Sequence, residues 1–324
     1  MSEHLGRTKD QADYGLGEHA FDADRMGLVD KAELTDKLIA TFESDSYQPP
    51  RLPAVAMELM TLSQNPDVEF KDIEKVLEQD AMLAGEILSI ARSAFYGGIG
   101  QITSLHQALV RLGLAKLRQV VMQAAMSVRV FRSKAYGPYM DRVREHSRIT
   151  AHAARIVSQY TPFEEEQAFL CGLLHDVGIA GILLILGDVK RGEKPPELAV
   201  LWPTIHDAHM RAGERMVKLW DLPVEIAMVV GAHHDVCIQG FDHPLAATIC
   251  LAEDIVRRLD RGLVPTVNGE VVETKADWGM VGHGRIDQST PQALERARTA
   301  LGITEPTEEL ILQATRDWLE KDAE

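Results

Sequence analysis

A chain of 324 residues with 45% hydrophobic and 26% charged residues has enough apolar mass for one large globular domain or two ordinary ones. Its net charge of −15 argues against general nucleic-acid binding, because the phosphate backbone would be repelled. Only Cys171, Cys237 and Cys250 occur, which fits neither a disulfide framework nor a cysteine-based zinc site. The first ten residues lack the apolar region of a signal peptide, and the longest uncharged apolar run, Ile179 to Leu186, is far short of a membrane span. A cytoplasmic location with no membrane association is expected.

Residues 1–30 show no periodicity and read as a loose lead-in. Leu34, Leu38 and Phe42, spaced four apart, predict a helix over 31–42, and Gln48-Pro49-Pro50 then breaks the chain. From Leu52 to Phe131 helix follows helix. Asn65-Pro66-Asp67 marks a turn, with Asp67 or Asp72 as the expected cap of the next helix. Ile73, Val76 and Leu77, then Leu83, Ile87, Leu88 and Ala91, repeat the i, i+3, i+4 spacing. Phe95-Tyr96-Gly97-Gly98 ends that run. Thr103 or Ser104 opens the next helix, which Leu109, Leu112, Leu117, Val120, Val121 and Ala124 continue.

A second half begins near Gly137-Pro138 with a long helix bearing His146, Ile149, Ala153, Ile156 and Val157 on one stripe. Glu164 to Leu186 is apolar, and Lys190 to Pro196 forms a charged loop. Three helices are expected over 204–220, 223–234 and 243–261. Residues 263–290 are Gly-rich and irregular, apart from a short hairpin around Val267-Asn268-Gly269-Glu270-Val271-Val272. Two amphipathic helices follow from Pro291. Strand alternation is otherwise nearly absent and no repeat is visible, so the expected fold class is all-α. Residues 111–155 carry ten Lys/Arg against Asp141 and Glu145. Such runs are usually a solvated helix face; the sharper alternative is a patch facing phosphate or an acidic partner.

Eight of the twelve histidines fall between 146 and 243. At their centre is Leu173-Leu174-His175-Asp176-Val177-Gly178, a His-Asp pair in the most apolar segment of the chain. His146 shares a stripe with Ile149 and Ala153. His206 and His209 are i, i+3 on one face, with Gly213 and Met216 following. His233 shares a stripe with Ile226, Val229 and Val230, and His234 is next to it. Inward imidazoles from four helices are what a metal site in a helical bundle requires. Imidazole with carboxylate suits zinc, iron, nickel or manganese. A lone histidine on an apolar stripe is more often a hydrogen-bonded core residue, and His152 and His243 read that way. The recurrence is what favours one or two divalent ions over that structural alternative.

The ordered motifs resemble an HDOD domain, a relative of the HD and HD-GYP metal-dependent phosphohydrolases. They are Leu52-Pro53, Glu78-Gln79-Asp80-Ala81-Met82-Leu83-Ala84, Ser93-Ala94-Phe95-Tyr96, Ile102-Thr103-Ser104-Leu105, and Leu112-Gly113 with Leu117-Arg118. In the second half come His146-Ser147, Gly172-Leu173-Leu174-His175-Asp176-Val177-Gly178, His209 with Gly213, Trp220-Asp221-Leu222-Pro223 and His233-His234. The resemblance implies an N-terminal helical subdomain (46–135) packed on an HD-like helical core (136–260), with 1–45 as lead-in and helix and 261–324 as a helical extension. It also implies metal ligands at His146, His175, Asp176, His209, His233 and His234, with Glu253 or Asp254 as the late acidic ligand.

Departures from the pattern bear on activity. HD-GYP enzymes carry Lys after the Gly of the His-Asp motif, where this chain has Ile179. Val236-Cys237-Ile238 stands where Gly-Tyr-Pro would follow. Arg92 and Ala81 replace the usual Asn and Pro. The family likeness therefore implies a regulatory, signal-transducing module acting through a protein partner, with a nucleotide or second messenger as a further candidate ligand. The basic stretch 111–155 or the acidic 270–324 segment would be the docking surface. The alternative is a metal-dependent phosphohydrolase acting on a nucleotide or phosphodiester. In it His175 and Asp176 are the catalytic candidates and Arg148 replaces the missing lysine.

Overall fold

The computed structural model describes residues 31–322 except 64, 66, 94–95, 97–101, 103, 190–193, 197, 264–265, 268–269 and 272–289. The expected lead-in, the stop at Phe95, Gly97 and Gly98, the alternative cap Thr103, the first part of the charged loop and most of the irregular 263–290 stretch lie outside these residues. Among the described residues the fold is all-α. A first group comprises α1 (Lys31–Glu43), α2 (Ala54–Leu62), α3 (Phe70–Leu77), α4 (Ala81–Arg92) and α5 (Leu105–Arg129). A second comprises α6 (Gly137–Ser158), α7 (Glu165–Leu174), α8 (Val177–Gly187), α9 (Leu198–Leu219), α10 (Val224–Val230) and α11 (Pro244–Arg258). Helices α12 (Pro291–Leu301) and α13 (Glu305–Asp322) complete the chain, with two antiparallel pairs of two-residue strands: β1 (Cys237–Ile238) with β2 (Phe241–Asp242), and β3 (Thr266–Val267) with β4 (Glu270–Val271).

Local chemistry sets several boundaries. Ser104 caps α5, its Oγ accepting the Gln107 N–H at 3.2 Å, and Asp80 caps α4 through Met82 and Leu83. The expected cap of α3 is corrected: Glu69 holds that position without a side-chain hydrogen bond, Asn65 accepts the Asp67 N–H, and Asp72 pairs with Lys75. Gly113, at φ 69°, kinks α5, a left-handed conformation that L side chains rarely adopt. Helix α9 starts earlier than expected and runs through Pro203. The missing N–H costs one helical hydrogen bond, but the burial of Leu201, Trp202 and Ile205 around it holds the turn in place.

Helices α7 and α8 form the centre, with α6, α9 and α11 around them and α5 packing on α7 from the first group. Every residue from Val177 to Leu186 is buried, as expected of a helix apolar on all sides. By length and composition the stretch Glu165–Gly187 is apolar enough to cross a membrane, which corrects the expectation that no segment comes near a span; its residues from Ala168 to Leu186 are all buried within the protein. Helix α1 lays Leu34, Leu38 and Phe42 on α9, and α12 and α13 pack on α11 and α6. The buried Glu308 of α13 takes Arg258 of α11 at 2.5 Å and Arg298 of α12 at 2.6 Å, tying those three helices together.

Close backbone approaches then fix the geometry of the centre. At Gly178 a Cβ would fall 1.9 Å from the His209 carbonyl oxygen and 2.6 Å from the Gly213 nitrogen, so α8 and α9 touch main chain to main chain. Gly178→Ala is expected to destabilise the protein by about 3 kcal/mol or more, because the backbone cannot yield as a side chain can. Gly85→Ala, in the middle of α4 with open space around it, is expected to stabilise by about 0.5–1 kcal/mol through helix propensity. Urea denaturation of both variants checks the pair; equal effects would contradict the packing argument.

Candidate metal centre

The helix ends between α7 and α8 at His175-Asp176. Asp176 occupies the N-cap of α8 in the bridge region (φ −98°, ψ 13°), yet its carboxylate makes no cap hydrogen bond. Aspartate is among the best N-cap residues, worth about 1 kcal/mol there. Here both oxygens are turned to the histidines. Oδ2 lies 3.2 Å from His175 Nε2 and 3.6 Å from His146 Nε2, and Oδ1 lies 3.5 Å from His209 Nε2 and 3.7 Å from His233 Nε2.

Each of these four rings is oriented from behind by a main-chain carbonyl. His175 Nδ1 meets Gly172 O at 2.7 Å, His233 Nδ1 meets Val230 O at 2.8 Å and His146 Nδ1 meets Arg261 O at 3.2 Å, while His209 Nδ1 meets His206 O. A carbonyl can only accept, so each ring carries a proton on Nδ1, and a neutral ring then presents the Nε2 lone pair to the centre. His146 and His175 then face each other Nε2 to Nε2 at 3.3 Å, and His209 and His233 do the same at 3.3 Å. Asp176 Oδ1 has no hydrogen-bond partner, and the one donor within reach of the carboxylate is a protonated His175 Nε2. With the rings neutral, acceptors converging in this buried space are unfavourable unless a cation, a proton or a metal ion, sits among them.

The electrostatics agree. Burial opposes the charged form of His175, but the Asp176 and Glu253 carboxylates outweigh it and hold its pKa up at about 9. Burial drives His146 and His209 down to about 4, and His233 and His234 well below the usual histidine value. Burial also opposes the Asp176 carboxylate, yet the surrounding imidazoles, His175 first, keep it ionised far below the ordinary carboxylate range. The cluster thus has room for positive charge at its centre and keeps the outer rings neutral, the form that binds metal.

The predicted residues form two groups with ligand atoms within 4.8 Å of one another: His146, His175, Asp176 and Glu253 in one, His209, His233 and His234 in the other. Asp176 lies between them, and so does Glu253, whose Oε1 is 3.5 Å from His175 and whose Oε2 is 3.5 Å from His234. All are buried except His234, which is nearly so. Asp254 does not join them: the next residue on the helix points elsewhere, and Arg257 takes its Oδ1. His206, outside the expected ligand set, lies beside the second group. Its ring stacks on His234 (centroids 5.7 Å apart, 25° between planes), and its Nε2 is buried without a hydrogen-bond partner. The Arg261 carbonyl behind His146 is a main-chain group with no sequence signal.

His152 and His243 lie apart from both groups, His152 stacked on Trp318 and His243 beside Glu225. Arg148 cannot stand in for the missing lysine. It belongs to another face of α6, where Glu145 and Asp322 hold it. Part of the basic stretch is engaged within the protein: Arg118 pairs with Glu166, Arg129 with Asp80 and Arg144 with Asp141, and Arg155 is buried.

Comparison with known proteins agrees with this architecture. The chain is 25% identical over 238 residues to an uncharacterized protein of Treponema pallidum (strain Nichols), a match covering 70% of this chain and 45% of that one, so it spans about half the length of that relative. Among solved structures, an HDOD domain protein of unknown function from Geobacter sulfurreducens matches at TM-score 0.61 and 22% identity, over 90% of this chain and 97% of that one. A Shewanella amazonensis SB2B protein provisionally assigned as a metal-dependent phosphohydrolase matches at TM-score 0.58 and 19% identity, over 88% and 98%. A Marinobacter aquaeolei VT8 protein provisionally assigned to signal transduction matches at TM-score 0.60 and 19% identity, over 93% and 65%. These structural likenesses establish the fold. The HDOD domain profile matches residues 50–236, more than half of the sequence, and the chain belongs to the HDOD domain family.

Proposed function

We propose that the protein is a signal-transduction module that holds one or two divalent transition-metal ions at the histidine cluster and acts through protein partners rather than by substrate turnover. The metal part rests on the convergence of lone pairs around Asp176. The donor set, imidazole with two carboxylates, suits iron, manganese, zinc or nickel. His146, His175, Asp176 and Glu253 would hold one ion, and His209, His233 and His234 a second.

The regulatory part rests on what surrounds that set. The position after Gly178, where HD-GYP enzymes carry lysine, is Ile179, 2% exposed in the apolar core of α8. Arg148, the other candidate cation, lies about 200° around α6 from His146 and so faces away from the histidine cluster. Neither supplies a charge for a substrate phosphate, and a family fold does not by itself carry activity. The second reading, a phosphohydrolase acting on a nucleotide or phosphodiester, is favoured by one observation: Asp176 offers one oxygen to each ligand group, as a two-ion site requires. Ions there would supply Lewis acidity and an acidified water. The Shewanella likeness points to the same chemistry at the level of fold.

Protein purified without a metal-affinity tag is expected to contain one or two equivalents of iron, manganese, zinc or nickel by elemental analysis, and the His175→Ala variant markedly less. Asp176→Ala should lose both ions, whereas His233→Ala should lose no more than one. A protein that is empty and takes up none of these ions would end the metal assignment. Chelation should lower the melting temperature and metal addition restore it, by about 2.7 kcal/mol of stability at a hundredfold excess over Kd.

Metal-loaded protein is expected to leave cyclic dinucleotides, nucleotides and bis(p-nitrophenyl) phosphate intact. Turnover that disappears in both His175→Ala and Asp176→Ala, with the fold retained, would replace the regulatory reading by the hydrolase.

A further inference from the structure

A second polar cavity, of about 250 Å³, lies between α4, α5, α6 and the end of α13. At about 100° per residue, Arg144, Glu145, Arg148 and His152 fall roughly 160–260° around α6 from His146. The helix therefore stands between this cavity and the histidine cluster. Ser89 and Glu145 are exposed at the rim, whereas Gln123, Tyr96 and His152 are buried. The volume suits a small metabolite, being below the roughly 300 Å³ at which pockets for drug-sized ligands begin.

Two independent features mark it as a built site. Gln123 lines the cavity at 8% exposure, and its Oε1 accepts no hydrogen bond. An unmet amide acceptor costs about 1–3 kcal/mol. The second feature is Arg148, whose guanidinium forks onto Glu145 (Nε–Oε2 2.9 Å, Nη2–Oε1 2.8 Å) and also reaches Asp322 Oδ2 at 2.7 Å. Asp322 is the last residue of α13. One turn earlier Trp318 stacks on His152 (centroids 4.3 Å apart, 24° between planes), with Arg148 5.3 Å over its ring. A carboxylate of the chain's own extension, beyond the residues that define the family, thus sits on the cation of the cavity.

The wall also selects the ligand. Arg148 recognises a carboxylate, since it already binds one. Gln123 Oε1 and the Glu86 carboxylate can only receive donors, while Ile90 and Phe131 offer apolar surface. A phosphate ester would bring two negative charges to a wall that already holds Glu86, Glu145 and Asp322. A single carboxylate balanced by an ammonium fits that charge pattern better. We propose that the cavity binds a free amino acid, whose carboxylate replaces that of Asp322 on Arg148 and whose ammonium group meets Gln123 and Glu86, releasing the end of α13. Glu308 keeps the start of α13 anchored to α11 and α12 meanwhile.

The test is isothermal titration calorimetry of the full chain with each of the twenty L-amino acids, and with inorganic phosphate as the competing anion. At least one amino acid is expected to bind at one equivalent. Asp322→Asn should tighten it about two- to fivefold, the equilibrium worth of one partly exposed ion pair. Gln123→Met, which keeps the packing volume, should weaken it about fivefold or more while leaving the melting temperature near that of the parent. His175→Ala should bind as the parent does, which separates this site from the metal centre. The proposal is overturned if no amino acid binds either the parent or Asp322→Asn, if affinity is the same in Asp322→Asn and Gln123→Met as in the parent, or if phosphate binds and amino acids do not.

Discussion

The position of Asp176 is the constraint on which the rest of the second helical group depends. Its carboxylate gives up a helix cap to stand among four imidazoles, and each imidazole is aimed by a main-chain carbonyl. The helices must therefore approach closely enough for these groups to meet. Two contacts provide that approach. At Gly172 a Cβ would fall 2.7 Å from Ala151 Cα, setting α7 directly on α6 and bringing His175 to His146. Gly178 does the same for α8 on α9 and brings His209 to Asp176. Glycine in a helix interior costs about 0.5–1 kcal/mol against alanine, so these contacts work against local helix propensity. The cluster explains why they are there.

Most of the fold was legible because burial and helical period coincide. The stripes at Leu34, Leu38 and Phe42, at Ile73 and Leu77, and at Leu83 and Ile87 are all buried faces of helices. The histidines were legible for the same reason, since each inward imidazole sits on an apolar stripe that has to face the core. What periodicity could not show was anything decided by side-chain partners across the fold. Glu253 and Asp254 are adjacent, and only the packing of α11 turns the first to the centre while Arg257 takes the second. The ten cations of residues 111–155 look like a patch in one dimension. In three dimensions Glu166, Asp80, Asp141, Glu145 and Asp322 reach several of them from the same and other helices. Pro203 shows the converse, a local break signal overridden because Trp202 and Ile205 are worth more buried than the lost hydrogen bond.

Charge placement also separates the metal question from the catalytic one. Holding a cation needs only acceptors aimed at a point, and the cluster has them in excess. Working on a phosphate needs, besides the ions, positive charge arranged where negative charge develops. In this chain the position after Gly178 is an isoleucine packed in the core, and Arg148 is bound by two carboxylates on another face of its helix. A scaffold can keep the first property after losing the second, because metal binding also stabilises the fold. Metal binding is thus enough to account for the histidines without any turnover.

Helix α6 joins the histidine cluster to the end of α13. One face carries His146, joined through its Nδ1 to the Arg261 carbonyl just beyond α11; another carries Arg148 and His152, on which the end of α13 rests. A rigid helix shared by two sites couples them only if something it touches has two arrangements. The start of α13 is fixed by buried Glu308, which Arg258 and Arg298 both engage. Towards its end Trp318 is buried, stacked on His152 and covered by Arg148, whereas Asp322 one turn later is held by a single ion pair, worth about 1 kcal/mol. Only the residues past Trp318 can therefore change partners cheaply, and that difference in strength makes the final turn of α13 the part of the helix suited to switching.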